Sequence, residues 1–95
     1  MTKISVLYWQ SIPTLVEARD TNGIEKIELS KRFSELVDLI AMKKGIVESE
    51  DYLNYWKKKR MADSKKSAKE IVKELSEYFE SDFDNIKSNA LKLLN

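Results

Sequence analysis

The hydrophobic pattern of this 95-residue chain changes its period once, at Ser30. Before Ser30 the apolar residues are β-branched or aromatic and come in runs of strand length, whereas after it they recur at helical spacing. The first helical stripe consists of Phe33, Leu36, Val37 and Ile40. Because strands and helices are segregated along the chain, the sequence predicts an α+β fold. We expect a single domain over residues 1–95, with a small N-terminal antiparallel sheet of about three strands in residues 1–29 and about four covering helices in residues 30–95.

The first strand is predicted over residues 4–10, whose side chains alternate between the two faces of a sheet. One face carries Ile4, Val6 and Tyr8, and the other carries Leu7 and Trp9. Apolar residues on both faces predict a strand that is covered on both sides. Residues 11–14 interrupt the strand, because Pro13 cannot donate to a strand ladder.

The dipeptide Asn22-Gly23 is the strongest hairpin signal in the sequence. It predicts that residues 15–20 pair with residues 24–29, but it leaves the register open. A two-residue loop creates two unfavourable like-charge pairs, Glu17 with Glu28 and Arg19 with Lys26. A four-residue loop instead places Arg19 opposite Glu28.

Three more helices are predicted from the spacing of apolar residues in the rest of the chain. The second begins after Ser49 and presents Tyr52, Leu53 and Trp56. The third carries Ala68, Ile71, Val72, Leu75 and Phe79. The fourth begins at Ser81 and carries Phe83, Ile86, Ala90, Leu93 and Leu94.

The chain contains no cysteine and no histidine. This composition excludes disulfides, thiolate nucleophiles, imidazole bases, Ser-His-Asp triads and Cys/His zinc sites. The carboxylate pairs Glu50-Asp51 and Asp82 with Asp84 lie at predicted helix starts, where capping accounts for them. The sequence therefore predicts a protein that is not an enzyme, with no catalytic residue, no metal site and no cofactor.

The N-terminal apolar stretch ends at Gln10. A signal peptide needs a longer apolar region with a small-residue cleavage site, and a membrane-spanning helix needs about 20 apolar residues. The lack of cysteine agrees with a reducing compartment. We expect a cytoplasmic protein that does not associate with a membrane.

The formal net charge of +1 is the sum of two opposite segments. Residues 57–73, the basic segment, carry eight basic and two acidic side chains, and residues 74–84, the acidic segment, carry five acidic side chains and no basic one. The predicted third helix thus begins basic and ends acidic, the reverse of what the helix dipole favours. Stability of that helix alone does not explain this arrangement.

Three functions fit the basic segment, besides a solvated surface without a ligand. It can meet a complementary patch on a protein partner, hold a phosphate-like anion at the N-terminus of the third helix, or bind nucleic acid with neighbouring aromatic rings as stacking groups. The anion and nucleic-acid candidates are Lys57, Lys58, Lys59, Arg60, Lys65, Lys66 and Lys69. A net charge near zero argues against general affinity for nucleic acid.

The aromatic residues near the N-terminus have two interpretations. Tyr8 and Trp9 are either core residues on opposite faces of a central strand or, with Pro13, a recognition surface. The sequence favours the core for Trp9, and for Trp56 as well. The candidates for contact with a partner are Tyr8, Trp9, Ile12, Pro13, Arg32 and Trp56.

Three pieces of the chain together resemble a small bacterial family named "virulence factor", whose domain also occurs in conserved virulence factor C proteins. The first piece is Tyr8-Trp9-Gln10-Ser11-Ile12-Pro13 with Val16, the second is Arg32-Phe33 with Asp38, Ala41-Met42 and Gly45, and the third is Tyr52-Leu53 with Trp56. The family often has an arginine where this chain has Gln10, so an anion-binding role at that position is not expected here. The resemblance implies an accessory role in folate-dependent one-carbon metabolism, by methyl transfer.

Together these observations predict a non-enzymatic accessory or interaction subunit of a larger cytosolic protein assembly. Its contact surfaces are expected around residues 8–16 and on the third helix. The alternative is a nucleic-acid or phosphate-anion binding module that uses residues 57–73. In a further alternative, a partner enzyme has an active site to which Arg32, Lys65 and Lys66 contribute positive charge.

Overall fold

The computed structural model describes residues 1–46 and 49–93 and has an α+β fold, as predicted. The elements follow one another as β1 (Lys3–Trp9), β2 (Ile12–Asp20), β3 (Gly23–Glu28), α1 (Lys31–Lys43), α2 (Ser49–Asn54), β4 (Trp56–Arg60), α3 (Ala68–Ser81) and α4 (Phe83–Lys92). The four strands form one antiparallel sheet in the order β3-β2-β1-β4. The sheet has one strand more than the sequence predicted, and the predicted helical residue Leu94 lies outside the described residues.

The additional strand, β4, contains the first four residues of the basic segment and pairs with β1. Trp56 is its first residue, not the end of the second helix as predicted. The pairing continues past the strand, because Thr2 and Ser64 exchange both backbone hydrogen bonds, at 2.8 and 3.1 Å. Residues 57–60 of the basic segment are therefore an edge strand and not a loop, and lysines on an edge strand discourage pairing with other chains.

The first two strands are joined by a tight reversal at Gln10 and Ser11, where Gln10 adopts a left-handed conformation with φ of 54°. We expected Pro13 to interrupt the sheet, but this was wrong. Pro13 lies within β2, opposite Tyr8. Thr14 is the extra residue of a bulge, and its hydroxyl donates a hydrogen bond to the carbonyl oxygen of Leu7 at 3.0 Å.

The β2–β3 hairpin has neither of the two registers that the sequence suggested. Asp20 pairs with Gly23, so the loop is Thr21-Asn22 and Glu17 faces Lys26, an opposite-charge pair. The Asp20 carboxylate accepts a hydrogen bond from the Asn22 amide at 2.8 Å, which stabilises the turn one residue earlier than Asn22-Gly23 indicated. Gly23 has φ of 136°, which favours glycine there.

Three helices, α1, α3 and α4, pack against one face of the sheet and form a single core with it. From the central strands this core takes Ile4, Val6, Val16 and Ala18, and from the helices Phe33, Leu36, Val37, Ile40, Ala68, Val72, Phe79 and Ala90. We call this sheet surface the covered face. The other surface, the open face, carries Lys3, Ser5, Leu7, Leu15, Glu17 and Arg19 from the central strands. The expectation of a first strand covered on both sides was therefore wrong for most of its length.

Within residues 1–46 and 49–93, no helix combines the length and the apolar character needed to cross a bilayer.

Candidate functional site on the open sheet face

The edge strand β4 divides the basic run between the two sides of the sheet. Its side chains alternate, so Lys58 and Arg60 lie on the open face, where they face Leu7 and Ser5 of β1. Lys57 and Lys59 face Tyr8 and Val6 and lie on the other side of the strand. Four consecutive basic residues thus supply two cations to each side.

On the open face the cations of β4 meet charged residues of the central strands. Across the sheet, Arg19 faces Lys3 in one row, and Glu17 and Ser5 lie in the next row beside Arg60. These residues surround a shallow cleft of about 340 Å³, which is lined by Lys3, Ile4, Ser5, Glu17, Arg19, Lys58 and Arg60. The cleft joins parts of the chain that are far apart in sequence.

Glu17 is the one acidic side chain in the lining of this cleft. Its carboxylate accepts hydrogen bonds from Lys58 Nζ at 2.7 Å and from Ser5 Oγ at 3.4 Å, and Lys26 Nζ lies 3.4 Å away. The hydrogen bond from Lys58 lowers the pKa of Glu17 below its ordinary value, although partial burial opposes the shift. Glu17 is therefore a carboxylate whose charge is already compensated by the lysines on either side.

The surface around the cleft has an excess of positive charge. Its five cations are Lys3, Arg19, Lys26, Lys58 and Arg60. Its two carboxylates are Glu17 and Asp63, of which Asp63 lies 3.4 Å from Arg60. The excess around the cleft is three charges, or two when Glu28, which lies opposite Leu15 on the same face, is included.

Sequence reasoning did not single out Lys3, Ser5, Glu17 or Arg19 as site residues. Their signal is the polar alternation on both central strands, with Lys3 and Ser5 on β1 and Glu17 and Arg19 on β2. That alternation becomes a site only when β4 places Lys58 and Arg60 beside it. The pairing of β4 is not visible in the sequence.

The N-terminus of α3, the second region proposed for anions, is occupied by groups of the chain itself. Asp20 Oδ2 accepts a hydrogen bond from the amide of Ala68 at 2.8 Å, and Ser67 Oγ accepts one from the amide of Glu70 at 3.3 Å. The hydrogen bond from Ala68 is the main reason why the pKa of Asp20 lies below its ordinary value. An internal carboxylate thus occupies the place that an external anion would take.

The lysines near this helix start are separate from the cleft. Lys65, Lys66 and Lys69 lie around Asp20 and Ser67, and Lys66 Nζ bonds to Glu74 at 2.7 Å. The basic segment therefore does not form one continuous patch. Of its cations, Lys58 and Arg60 lie on the open face, whereas Lys65, Lys66 and Lys69 lie near the start of α3.

The acidic end of α3 has a structural use that the sequence analysis did not foresee. Glu80 accepts hydrogen bonds at 2.7 Å from both the amide and the hydroxyl of Ser30, at the start of α1. Arg32 bonds to the Glu80 carboxylate at 3.0 Å and stacks over the ring of Phe83, 4.4 Å from its centroid. Stability does account for at least this acidic residue, and Arg32, predicted to contact a partner, binds its own chain.

The comparison with protein families covers nearly all of this structure. A family model described as "Virulence factor" matches residues 7–91. The chain belongs to the virulence factor family. The sequence resemblance covers roughly residues 4–60, and the match extends beyond it to α3 and most of α4. No curated protein and no solved structure matches the chain.

The most distinctive element of the virulence factor resemblance, Tyr8-Trp9 with Ile12-Pro13, lies in the core. Trp9 and Ile12 are 0% exposed, and Pro13 is fully buried. Trp9 Nε1 donates a hydrogen bond to the carbonyl of Tyr52 at 3.0 Å, and the Trp9 ring lies 5.4 Å from that of Tyr55. Trp9, Ile12 and Pro13 therefore have the burial that the core interpretation expects, and they expose no surface in this structure.

The two remaining aromatic candidates in this virulence factor domain are partly buried. Tyr8 lies edge-on to the ring of Phe79, with centroids 6.4 Å apart, and burial raises the pKa of its phenol. Trp56 packs against Tyr52, with centroids 6.2 Å apart. Both rings are packed mainly against the chain itself. Gln10, at the position where the family often has arginine, lies in the left-handed turn.

Proposed function

We propose that this protein is a non-enzymatic accessory subunit that binds an acidic surface of a protein partner through its open face. The observation that carries the proposal is an open sheet surface whose cleft is bordered by five cations and two carboxylates, with Glu28 as a third carboxylate farther along the same face. Complementary charge steers association and fixes the orientation of partners. The open face has the excess positive charge for such a contact.

The centre of the open face gives this contact an apolar component. Leu7 and Leu15 face each other across β1 and β2 and are partly buried. Lys58 lies opposite Leu7, and Glu28 lies opposite Leu15. An apolar strip between charged borders has the arrangement of a protein interface, in which the centre is apolar and the rim is polar.

The distribution of aromatic rings favours a protein over a single-stranded nucleic acid. Binding of single strands combines cations with exposed rings on which bases stack. On the central strands of the open face, the described residues beside the cleft are charged, hydroxylic or aliphatic. Trp9, at the end of β1, is fully buried. Trp56 lies on the same face of β4 two residues before Lys58, but it is partly buried and packs against Tyr52. Among the described residues that line the cleft, none is aromatic.

The family resemblance suggests where to look for the partner. We propose an enzyme of folate-dependent one-carbon metabolism, for which this chain is an accessory subunit. The support for this part is the resemblance alone, whereas the contact surface is supported by the geometry of the sheet.

The test compares two double variants that remove the same charge from opposite sides of β4. Lys58→Gln with Arg60→Gln removes two cations from the open face, and Lys57→Gln with Lys59→Gln removes two from the other side. The tagged full chain and both variants are used to capture partners from native lysate. The companion protein is then purified and its binding to each variant is measured.

We expect one stoichiometric, acidic companion that binds the wild type and the Lys57/Lys59 variant equally and the Lys58/Arg60 variant at least about tenfold more weakly. Equal binding by the two variants would contradict the proposed surface, and the absence of any companion would contradict the accessory role. A companion that is an RNA would instead establish the nucleic-acid alternative.

A further inference from the structure

One corner of the open face holds three cations and one hydroxyl without enough negative charge to balance them. Lys3 and Arg19 face each other directly in the β1–β2 register. Arg60 lies opposite Ser5, in the next row of the sheet. Facing residues of neighbouring antiparallel strands have Cβ atoms about 5 Å apart, and diagonal neighbours about 7–8 Å, so Lys3 on the central strand is within side-chain reach of both Arg19 and Arg60.

The pair formed by Lys3 and Arg19 is unfavourable unless an anion lies between the two side chains. Like charges directly opposite each other destabilise a sheet. Among residues 1–46 and 49–93, neither side chain has a carboxylate within 4.0 Å. Glu17, in the next row, is bonded to Lys26 and Lys58 instead. The fold therefore keeps two facing cations without supplying their counter-ion.

Arg60 and Ser5 add hydrogen-bond donors to this corner. Arg60 is about two-thirds exposed and contacts Asp63 through one terminal nitrogen at 3.4 Å, which leaves its other donors free to bind a ligand. The Ser5 hydroxyl makes a long hydrogen bond of 3.4 Å to Glu17 and is able to turn toward a stronger acceptor. Two guanidinium groups, one ammonium group and one hydroxyl thus border one end of the cleft.

We propose that the corner formed by Lys3, Ser5, Arg19 and Arg60 binds a phosphate group, carried by a phosphorylated side chain of the protein partner. A phosphate monoester has about −1.5 to −2 charges and three acceptor oxygens, which suits three cations better than a single carboxylate does. Guanidinium groups match phosphate oxygens with paired hydrogen bonds. The cleft of about 340 Å³ has room for the phosphate and for atoms of the side chain that carries it.

A protein source follows from what surrounds the corner. On the open face the row next to Ser5 and Glu17 is formed by Leu7 and Leu15, which offer contact to the backbone and side chains beside the phosphorylated residue. This inference rests on the proposed function, because it assigns a modification to the partner that binds the open face. It adds a chemical group that the partner must carry.

The test is a titration of the isolated full chain with a short acidic phosphoserine peptide, its unphosphorylated twin, inorganic phosphate and a single-stranded oligonucleotide. Binding is followed by the backbone amide resonances of β1, β2 and β4. We expect the phosphoserine peptide to shift the resonances of Lys3, Ser5, Arg19 and Arg60, and to bind more tightly than the twin or inorganic phosphate. Arg19→Gln is expected to reduce the affinity for the phosphopeptide at least about tenfold, since it removes a charged hydrogen-bond donor.

The control is Lys57→Gln, which removes one charge from the other side of β4 and is expected to leave the affinity unchanged. Arg19→Gln is also expected to raise the melting temperature of the free chain, because it removes the repulsion with Lys3. Equal affinity for the phosphopeptide and its twin would overturn the phosphate site. Tighter binding of inorganic phosphate or of the oligonucleotide than of the phosphopeptide would overturn the assignment to a protein.

The two proposals fail in different ways. If partner capture depends on Lys58 and Arg60 but the phosphate adds nothing, the phosphate inference is wrong and the proposed function stands. If capture does not depend on those residues, the proposed function is wrong, whatever the titration of the isolated chain shows.

Discussion

The covered face and the open face of the sheet come from the same strands, yet their side chains have different consequences for stability. Val6 and Leu7 are neighbours on β1. Val6 is 0% exposed beneath the helices, whereas Leu7 is only partly buried on the open face. Burial of apolar surface contributes about 25 cal/mol per Å², so the covered face provides most of the stabilisation that this sheet receives.

The open face has charges where the covered face has apolar contacts. Its ion pairs, such as Lys26 with Glu17, are exposed to solvent on at least one side. Exposed pairs contribute about 0–1 kcal/mol each, so these side chains are free to vary without loss of the fold. The difference between the faces indicates that charges on the open face can change without loss of the fold, and three pairs of substitutions measure how far.

The largest difference is expected from the same substitution at the two neighbouring positions. Val6→Asp buries a carboxylate among apolar side chains without a partner and is expected to cost more than about 4 kcal/mol, enough to unfold much of the protein. Leu7→Asp places the charge beside Lys58 on the open face and is expected to cost about 1 kcal/mol. Urea unfolding followed by tryptophan fluorescence measures both. A similar loss from both variants would mean that the open face is packed as the covered face is.

An intermediate effect is expected at the junction of α1 and α3, on the helix side of the sheet. Glu80→Gln weakens the bonds to Ser30 and Arg32 and is expected to reduce the free energy of unfolding by about 1–2 kcal/mol. Glu77→Gln, at an exposed position of the same helix, is the control and is expected to have almost no effect.

The pH dependence of this junction follows from the pKa of Glu80. Partial burial raises this pKa, but the hydrogen bonds from Ser30 and Arg32 outweigh burial and hold it below its ordinary value. A carboxylate with a lowered folded pKa stabilises the protein above its unfolded pKa of about 4.3, and this contribution is lost as the pH falls through the folded pKa. The stability difference between wild type and Glu80→Gln should therefore be constant near neutral pH and shrink in acid. A difference that grows in acid would contradict this account.

The sequence predicted those parts of the structure that depend on local pattern. The stripe that begins at Phe33 predicts α1, and alternation at residues 4–10 predicts β1, because each pattern states which side chains share a face. The core interpretation of Trp9 followed from its place in such a strand. These signals need no knowledge of distant contacts.

The parts that were missed depend on contacts between distant residues. Lys57 to Arg60 have no apolar alternation, so their strand is recognisable only from its pairing with β1, about 50 residues away. The hairpin register depends on Asp20, whose carboxylate also accepts a hydrogen bond from the distant amide of Ala68. The cleft was missed for the same reason, since Lys3 and Arg19 become a site only beside Arg60.

The smallest effect on stability is expected on the open face, at Glu17. Glu17→Gln removes the carboxylate that balances Lys26 and Lys58 and is expected to lower the free energy of unfolding by less than about 1 kcal/mol. The loss should shrink with added salt, because exposed charges are screened. The pKa of Glu17 lies below its ordinary value, so this contribution is present above the unfolded pKa and lost as the pH falls through the folded one. Glu25→Gln, at an exposed position on β3, is the control and should change stability even less.

The same Glu17→Gln substitution distinguishes the open face from the covered face, even though its expected effect on stability is small. It leaves all five cations around the cleft and removes one of the two carboxylates beside them, so the phosphoserine peptide should bind more tightly while the free protein becomes slightly less stable. No substitution at Val6 can have this pair of effects, since a change in the core weakens the fold without adding charge to the cleft. Calorimetric titration and urea unfolding of the one variant measure both quantities. Weaker binding by Glu17→Gln would mean that the carboxylate orients the cations, in which case charge excess alone does not describe the open face.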